Sequence, residues 1–406
     1  MRKGEAGRAS TDAVLAFCWS ARVLTATDAM EATGLTRSTV IDAIDELVEA
    51  GVLRELPNAR AAGEYRSGRP ARRFEVRTDF GIVVGLDAGN AHIAVTVADP
   101  FDRVLAHRRI EIGRSRSARA HRRIILDLLN ETLASAGETR ERILAVCAGV
   151  AAPVDRQGFS PPHPELFWER TNPDLIELLA DWAPVVEVKN DAQLAAAAEG
   201  AEGAAIGCQD YVALLAGERF GSGVVVDGHL LHGAHGGVGE GVVFDHVVGV
   251  GSAFGLRYGI ERQVRAALEA GEISPDGALA ALASEEDIPP QAVLELASAG
   301  DADALLVAER VGSALATVIG VLGSTFDPDR VIVCGAIAEG IEPVLAAARR
   351  LLPERLHLPA PELIASTLGA DVVSRGAIAT AREAARTRTV PMRVRAGLQA
   401  GSAALA

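Results

Sequence analysis

With 406 residues, 49% of them hydrophobic, the chain is long enough for two or three units, each with its own core. Its four cysteines, Cys18, Cys147, Cys208 and Cys334, are too far apart to suggest a disulfide framework or a metal-binding pair. No run of eighteen uncharged apolar residues and no signal-type apolar segment is found, so a soluble cytoplasmic protein without a membrane partner is expected.

The formal net charge of −14 argues against a nucleic-acid partner only as a sum. Residues 54–77 hold seven arginines against three glutamates, a local net charge of +4, so the acidity lies elsewhere.

An apolar helical pattern (Val14, Leu15, Phe17, Cys18) predicts a helix over residues 10–20. Thr27 is placed to cap a second, short helix that ends at Thr33 before Gly34. Thr36 then caps a third, in which Val40, Ile44, Leu47 and Val48 make one apolar face up to Gly51. Helix, glycine turn and capped helix is the order of a helix-turn-helix. Residues 52–56 and 74–76 are candidate strands of a wing, with a basic loop between them.

The candidate DNA contacts follow from that arrangement. Thr36, Arg37, Ser38 and Thr39 open the third helix, where a recognition helix presents side chains to base edges in the major groove. Arg66, Arg72 and Arg73 suit phosphate, and Arg69 the minor groove or its margin. Asp42, Asp45, Glu46 and Glu49 would repel DNA if turned towards it, but the helical period lets Asp45 and Glu49 face away. The rival reading is a three-helix oligomerisation module with a solvated charged loop.

Beyond Arg77, strands are predicted over 80–87, 92–99 and 104–112, a helix over 117–136 and a buried strand over 143–150. Further on come a strand at 185–189, an alanine-rich helix from Asp191, and strands at 211–216 and 222–227. Asp227-Gly228 supplies a two-residue turn after them. A long helix at 302–324, a strand at 331–335 and a last helix at 374–386 complete the pattern, with a weakly patterned tail. Strands paired first by hairpins and then separated by helices indicate an α/β body of two lobes. His229, His232 and His235 recur every third residue, a spacing that does not gather ligands on a strand or loop, so no metal site is assigned.

Two glycine-rich segments stand out: residues 215–223 (LAGERFGSG) and His235-Gly236-Gly237-Val238-Gly239-Glu240. With Asp87 and Gly89, Lys189-Asn190-Asp191-Ala192 and Gly149-Val150, they resemble the ROK family (repressors, open reading frames and sugar kinases). The resemblance implies an N-terminal winged helix-turn-helix over 1–77, with a GRPA-like segment joining wing to body. It further implies a two-lobed actin-like, ribonuclease H-like sugar-kinase ATPase fold over 78–390, with a tail over 391–406.

On the nucleotide side this sequence departs from the family at three points. Glu218 and Arg219 replace Thr and Gly of the phosphate loop. Asn90, Ala91 and His92 replace Gly, Thr and Lys of the first loop, and Cys334-Gly335-Ala336 stands where relatives carry Gly-Gly. A carboxylate beside the γ-phosphate repels it, and phosphoryl transfer rests on positioning and charge neutralisation. No catalytic residue and no cofactor are therefore assigned.

The sugar side is better kept: Asn190, Asp191 and Glu240 match the family's sugar-binding residues. Asp191 also suits a helix N-cap. The family's zinc site is lost, since no cysteine lies between Cys208 and Cys334. Residues 164–168 lack the family's sugar-binding asparagine, and Trp168 fits a packing role or a stack on a sugar face. The combined expectation is a transcriptional repressor binding double-stranded operator DNA as a homodimer or homotetramer, with a carbohydrate effector at Asn190, Asp191 and Glu240. The alternatives are an active sugar kinase carrying a DNA-binding module, and a regulator without effector.

Overall fold

A computed structural model describes residues 3–57, 71–101, 103–113, 117–163, 165–284, 287–356 and 358–396. The chain opens with α1 (Lys3–Ala21), β1 (Val23–Thr25), α2 (Ala26–Thr33), α3 (Arg37–Glu49), β2 (Leu53–Glu55) and β3 (Arg73–Val76). The three strands form an antiparallel sheet in the order β1-β3-β2 beside the helices, a winged helix-turn-helix. Val14, Leu15, Cys18, Leu24, Ile44, Leu47, Leu53 and Phe74 close its core. Thr25, not Thr27, caps α2: its hydroxyl accepts from Asp28 N at 3.3 Å while the Asp28 carboxylate accepts from Thr25 N at 2.8 Å. That reciprocal box satisfies two orphan donors at once, which a lone threonine two positions later cannot do.

The first lobe holds β4 (Ile82–Ala88), β5 (His92–Ala98), β6 (Val104–Glu111), α4 (Ala118–Ala136), β7 (Ile143–Val150), α5 (Phe167–Thr171), α6 (Leu175–Leu179) and β8 (Val186–Asn190). Its sheet runs β6-β5-β4-β7-β8, antiparallel through the hairpins and parallel from β4 onwards. After α7 (Asp191–Glu202) come β9 (Tyr211–Leu215), β10 (Gly221–Val226), β11 (His229–Leu230), α8 (Leu256–Glu269), α9 (Ala278–Ala283), α10 (Pro290–Ser298), α11 (Ala302–Phe326), β12 (Arg330–Cys334), α12 (Glu342–Arg355), β13 (Glu362–Ala365) and α13 (Val372–Ala384). The second sheet, β11-β10-β9-β12-β13, repeats the hairpin-then-parallel scheme of the first. Asp227 (φ 51°) and Gly228 (φ 72°) make the expected tight turn between β10 and β11. By length and composition α11 could cross a membrane; here it packs against α8, α10 and α12 in the second lobe's core.

Helices α7 and α13 pack face to face against the sheets. A Cβ on Gly376 of α13 would overlap the Leu194 carbonyl of α7, so only glycine admits this approach. Helical structure continues past α13 through a π-helical turn (Ala385–Thr389) to residue 396, inside the segment expected to be a tail. Val394 is buried there and Arg395 pairs with Asp12 of α1 at 2.8 Å, contacts that local patterning does not reveal. The same continuation clasps the winged helix-turn-helix module. Trp19 of α1 packs on Phe80 and Phe101, at 6.0 and 5.5 Å between ring centroids. The Arg386 guanidinium lies 5.2 Å over Trp19 and donates to Pro100 O at 2.8 Å. One apolar core runs unbroken from the module into the body.

Candidate functional site

The carboxylates of Asp191, Glu240 and Asp87 gather where β8 passes into α7. Asn190, not Asp191, caps α7: its Oδ1 accepts from Ala192 N at 2.9 Å and Gln193 N at 3.2 Å. Its Nδ2 donates to Ala152 O at 3.1 Å and to Glu240 Oε1 at 3.4 Å, so the cap also orients Glu240. Asp191 is the first residue of α7 and keeps part of its surface open. Burial, then the charges of Glu240 and Asp87, push its carboxyl up from 3.8 to about 7. Burial likewise raises Glu240, against the opposing pull of Arg219. Asp87, 4% exposed at the end of β4, meets His92 Nε2 at 2.9 Å. The His92 ring is raised on balance: burial opposes its charge, but the hydrogen bond and charge of Asp87 prevail. All three residues predicted for the sugar side therefore converge, joined by the Asp87–His92 pair. The carboxylates of Asp191 and Glu240 are acceptors suited to vicinal hydroxyls, while both N–H of Asn190 Nδ2 are already given to Ala152 O and Glu240 Oε1.

The expected phosphate loop has a different use here. Its glycine cluster 221–223 lies within β10, and a Cβ on Gly223 would overlap Ala192 O of α7, so this glycine serves packing. Residues 216–220 are covered by the segment leading into α8. Phe220 N donates to Ala253 O (2.9 Å), Gly255 N to Glu218 O (2.8 Å), Leu256 N to Ala216 O (2.6 Å) and Arg257 N to Gly217 O (3.2 Å). The first N–H groups of α8, which could otherwise seat an anion, are spent on loop carbonyls. Arg219 turns to Phe254, its guanidinium 5.3 Å over the ring.

Ala91 and Glu218, from the two loops that lose the family's phosphate contacts, line one cavity of about 660 Å³ with Glu111, Arg257, Tyr258 and Asp287. Arg257 is already bound by Asp287 at 2.6 and 2.8 Å. Glu111 in turn pairs with Arg109 at 3.3 Å, so two of the cavity's three carboxylates are matched by arginines. Glu111, Arg257 and Asp287 carry no motif, and their distance in sequence hides them from sequence reasoning.

In the winged helix-turn-helix, Thr36 caps α3, with its hydroxyl accepting from Thr39 N at 3.4 Å and meeting Thr39 Oγ1 at 2.8 Å and Ser38 Oγ at 3.2 Å. Thr36, Arg37 and Ser38 are exposed and Thr39 is half-buried. Opposite the buried stripe of Val40, Ala43, Ile44 and Leu47, the exposed face carries Ser38, Asp42, Asp45 and Glu49. Asp45 and Glu49 therefore do not face away from Ser38, because positions 38, 42, 45 and 49 share one side of an α-helix. Arg72 is held within the module: it pairs with Glu55 at 2.9 Å and Asp45 at 3.4 Å and lies 4.9 Å over Phe74. Arg73 is exposed on β3. Arg66 and Arg69 lie outside the described residues.

The ROK family pattern matches residues 83–246 and 257–384, most of the chain. The chain belongs to the ROK family. Among curated relatives, it is 25% identical over 222 residues to the xylose repressor of Caldicellulosiruptor bescii, covering 54% of each chain. It is 22% identical over 334 residues to the DNA-binding transcriptional dual regulator NagC of Escherichia coli K12, covering 78% of each. The match thus spans about half the length of the first relative. Among solved structures, a ROK family transcriptional regulator, a homolog of the E. coli MLC protein, superposes with a TM-score of 0.75 at 20% identity, covering 96% of this chain and 99% of that one. A ROK glucokinase from Streptomyces griseus superposes with a TM-score of 0.58 at 22% identity, over 75% of this chain and 100% of that one. The actin-like two-lobed fold is common to regulators and kinases alike.

Proposed function

We propose that this ROK protein is a cytoplasmic, sequence-specific transcriptional repressor that binds operator DNA as a homodimer or homotetramer and takes a carbohydrate effector between its lobes. The observation that carries the reading is the joining of a winged helix-turn-helix to a kinase-like body whose phosphate loop is tied down by the segment 253–257. The first turn of α3 reads base edges, and Asn190, Asp191 and Glu240 receive sugar hydroxyls. The likeness to a xylose repressor supports a sugar as the effector class. Coupling has a physical route: α7 starts in the cleft, packs on α13, and the continuation of α13 clasps Trp19. A ligand that favours one packing of α7 on α13 shifts the module.

Two measurements test this. Selection of bound fragments from genomic DNA should return a defined site, and ATP consumption over a panel of hexoses and amino sugars should stay at background. Turnover well above background would establish the second reading, a sugar kinase with a DNA-binding module. One observation favours that reading: a carboxylate titrating near neutrality is suited to act as a general base, and Asp191 has that property.

A further inference from the structure

The cleft holds more acceptors than donors. Asp191 Oδ1 accepts from Ala192 N at 2.8 Å, and Glu240 Oε1 from Asn190 Nδ2 at 3.4 Å. The second oxygen of each carboxylate has no hydrogen bond to another described residue, yet neither belongs to the sealed polar atoms of the interior. Both residues keep part of their surface open, so Asp191 Oδ2 and Glu240 Oε2 are left for solvent or a ligand.

The cations nearby are engaged elsewhere. His92 Nε2 meets Asp87 at 2.9 Å and answers that carboxylate. The Arg219 guanidinium lies over the Phe254 ring; its charge draws the Glu240 carboxyl down, but burial prevails. Lys189, beside Asn190 in the chain, pairs with Glu187 at 3.3 Å. The charges that act on Asp191 are those of Glu240 and Asp87, and neither Asp191 nor Glu240 has an ion-pair partner among the described residues. Donors are scarcer still. Asn190 Nδ2 is spent on Ala152 O and Glu240 Oε1, and the Ala192 and Gln193 N–H groups of α7 are spent on the Asn190 and Asp191 side chains. Residues 164–168 (PELFW) supply no asparagine.

A neutral hydroxyl donates and accepts, and here it meets acceptors and leaves their charge unmatched. A sugar anion is repelled by them. A protonated amine donates three hydrogen bonds, accepts none and brings the charge that these carboxylates lack. We propose, resting on the effector reading of the cleft, that its ligand is an amino sugar whose free ammonium group lies between the Asp191 and Glu240 carboxylates and whose hydroxyls use the acceptors it leaves. The cation holds Asp191 ionised, so binding releases a proton wherever the free carboxyl carries one. N-acetylation removes the charge and adds an acceptor, so the cleft discriminates against the acetylated sugar.

The test is isothermal titration calorimetry on the full chain at about pH 6. Glucosamine, galactosamine and mannosamine are each compared with the parent hexose and the N-acetyl form, and ethanolamine serves as a bare amine. Titrations in buffers of different ionisation enthalpy report the protons released. The same set is run on Asp191→Asn and Glu240→Gln, with thermal melting to verify that both fold. The expected result is that an amino sugar binds about tenfold or more tightly than its parent and its N-acetyl form, releases protons, and weakens about tenfold or more in either variant. A parent hexose or N-acetyl form binding as tightly as every amino sugar overturns the proposal and leaves the effector reading in place. Ethanolamine binding as tightly as the best amino sugar overturns it as well, and so does amino-sugar binding unchanged in both variants. Absence of saturable binding by every sugar overturns the proposal and the effector reading together.

Discussion

Replacing Asp191 by asparagine should stabilise the fold while removing the carboxylate assigned to the effector, and the size of the gain should depend on pH. In the folded chain Asp191 titrates near 7 rather than at 3.8, chiefly because burial and then Glu240 and Asp87 disfavour its charge. Between those values the folded chain holds a proton that the unfolded chain has released. Unfolding therefore releases a proton, and stability falls as pH rises through the window. Above about 7 the site is ionised in both states and the loss is complete. Each unit is worth about 1.4 kcal/mol, so from pH 5 to pH 8 the wild type should lose roughly 2–3 kcal/mol relative to Asp191→Asn. Asparagine keeps an oxygen for Ala192 N, so the helix start survives the change. Urea unfolding of both proteins at the two pH values measures the gap. A gap independent of pH, or one that widens towards acid, would refute the reasoning. Effector affinity should rise with pH over the same window, since the ionised carboxylate accepts more strongly from a hydroxyl.

Arg37→Ala should cost about 1–3 kcal/mol at a specific DNA site, read by fluorescence anisotropy, while leaving non-specific binding nearly unchanged; equal loss on all sequences would contradict the groove assignment. Asp45→Asn removes a carboxylate from the exposed face of α3 and the longer of the two ion pairs of Arg72, which Glu55 still holds, so affinity for any duplex should rise; unchanged binding would mean that this face never meets DNA. Trp19→Ala removes two ring contacts and the Arg386 stack and should weaken docking of the module by about 2–4 kcal/mol. Limited proteolysis near residue 77 should then accelerate, and an unaltered cleavage rate would dismiss the clasp. Gly376→Ala forces a methyl group into the Leu194 carbonyl and should destabilise by about 1–3 kcal/mol or more; a neutral melting temperature would show that α7 and α13 separate readily.

Much of the fold was legible in the residues alone, because hydrophobic period and turn chemistry act over short distances. The capped helix α3, the Asp227-Gly228 turn, the two-lobed α/β body and the Asn190-Asp191-Glu240 set all follow from local pattern or motif. Where local signals competed, sequence reasoning chose the wrong partner: Thr27 over Thr25, Asp191 over Asn190. A cap depends on which side chain reaches an N–H, and composition does not decide that. The face shared by Ser38, Asp42, Asp45 and Glu49 depends on which stripe of α3 the module buries.

What only tertiary structure decided is how distant residues meet. The closing of residues 216–220 by 253–257 joins segments that show no mutual pattern, and the cavity of Glu111, Glu218, Arg257 and Asp287 draws on four parts of the chain. The helical continuation to residue 396 is held by Asp12, Trp19 and Pro100, all near the other end of the sequence. The sequence by itself determined the elements and the chemistry that each can offer, because propensity and periodicity are properties of neighbours. Packing determined which of those chemistries face one another, because burial and hydrogen bonding are satisfied across the whole chain.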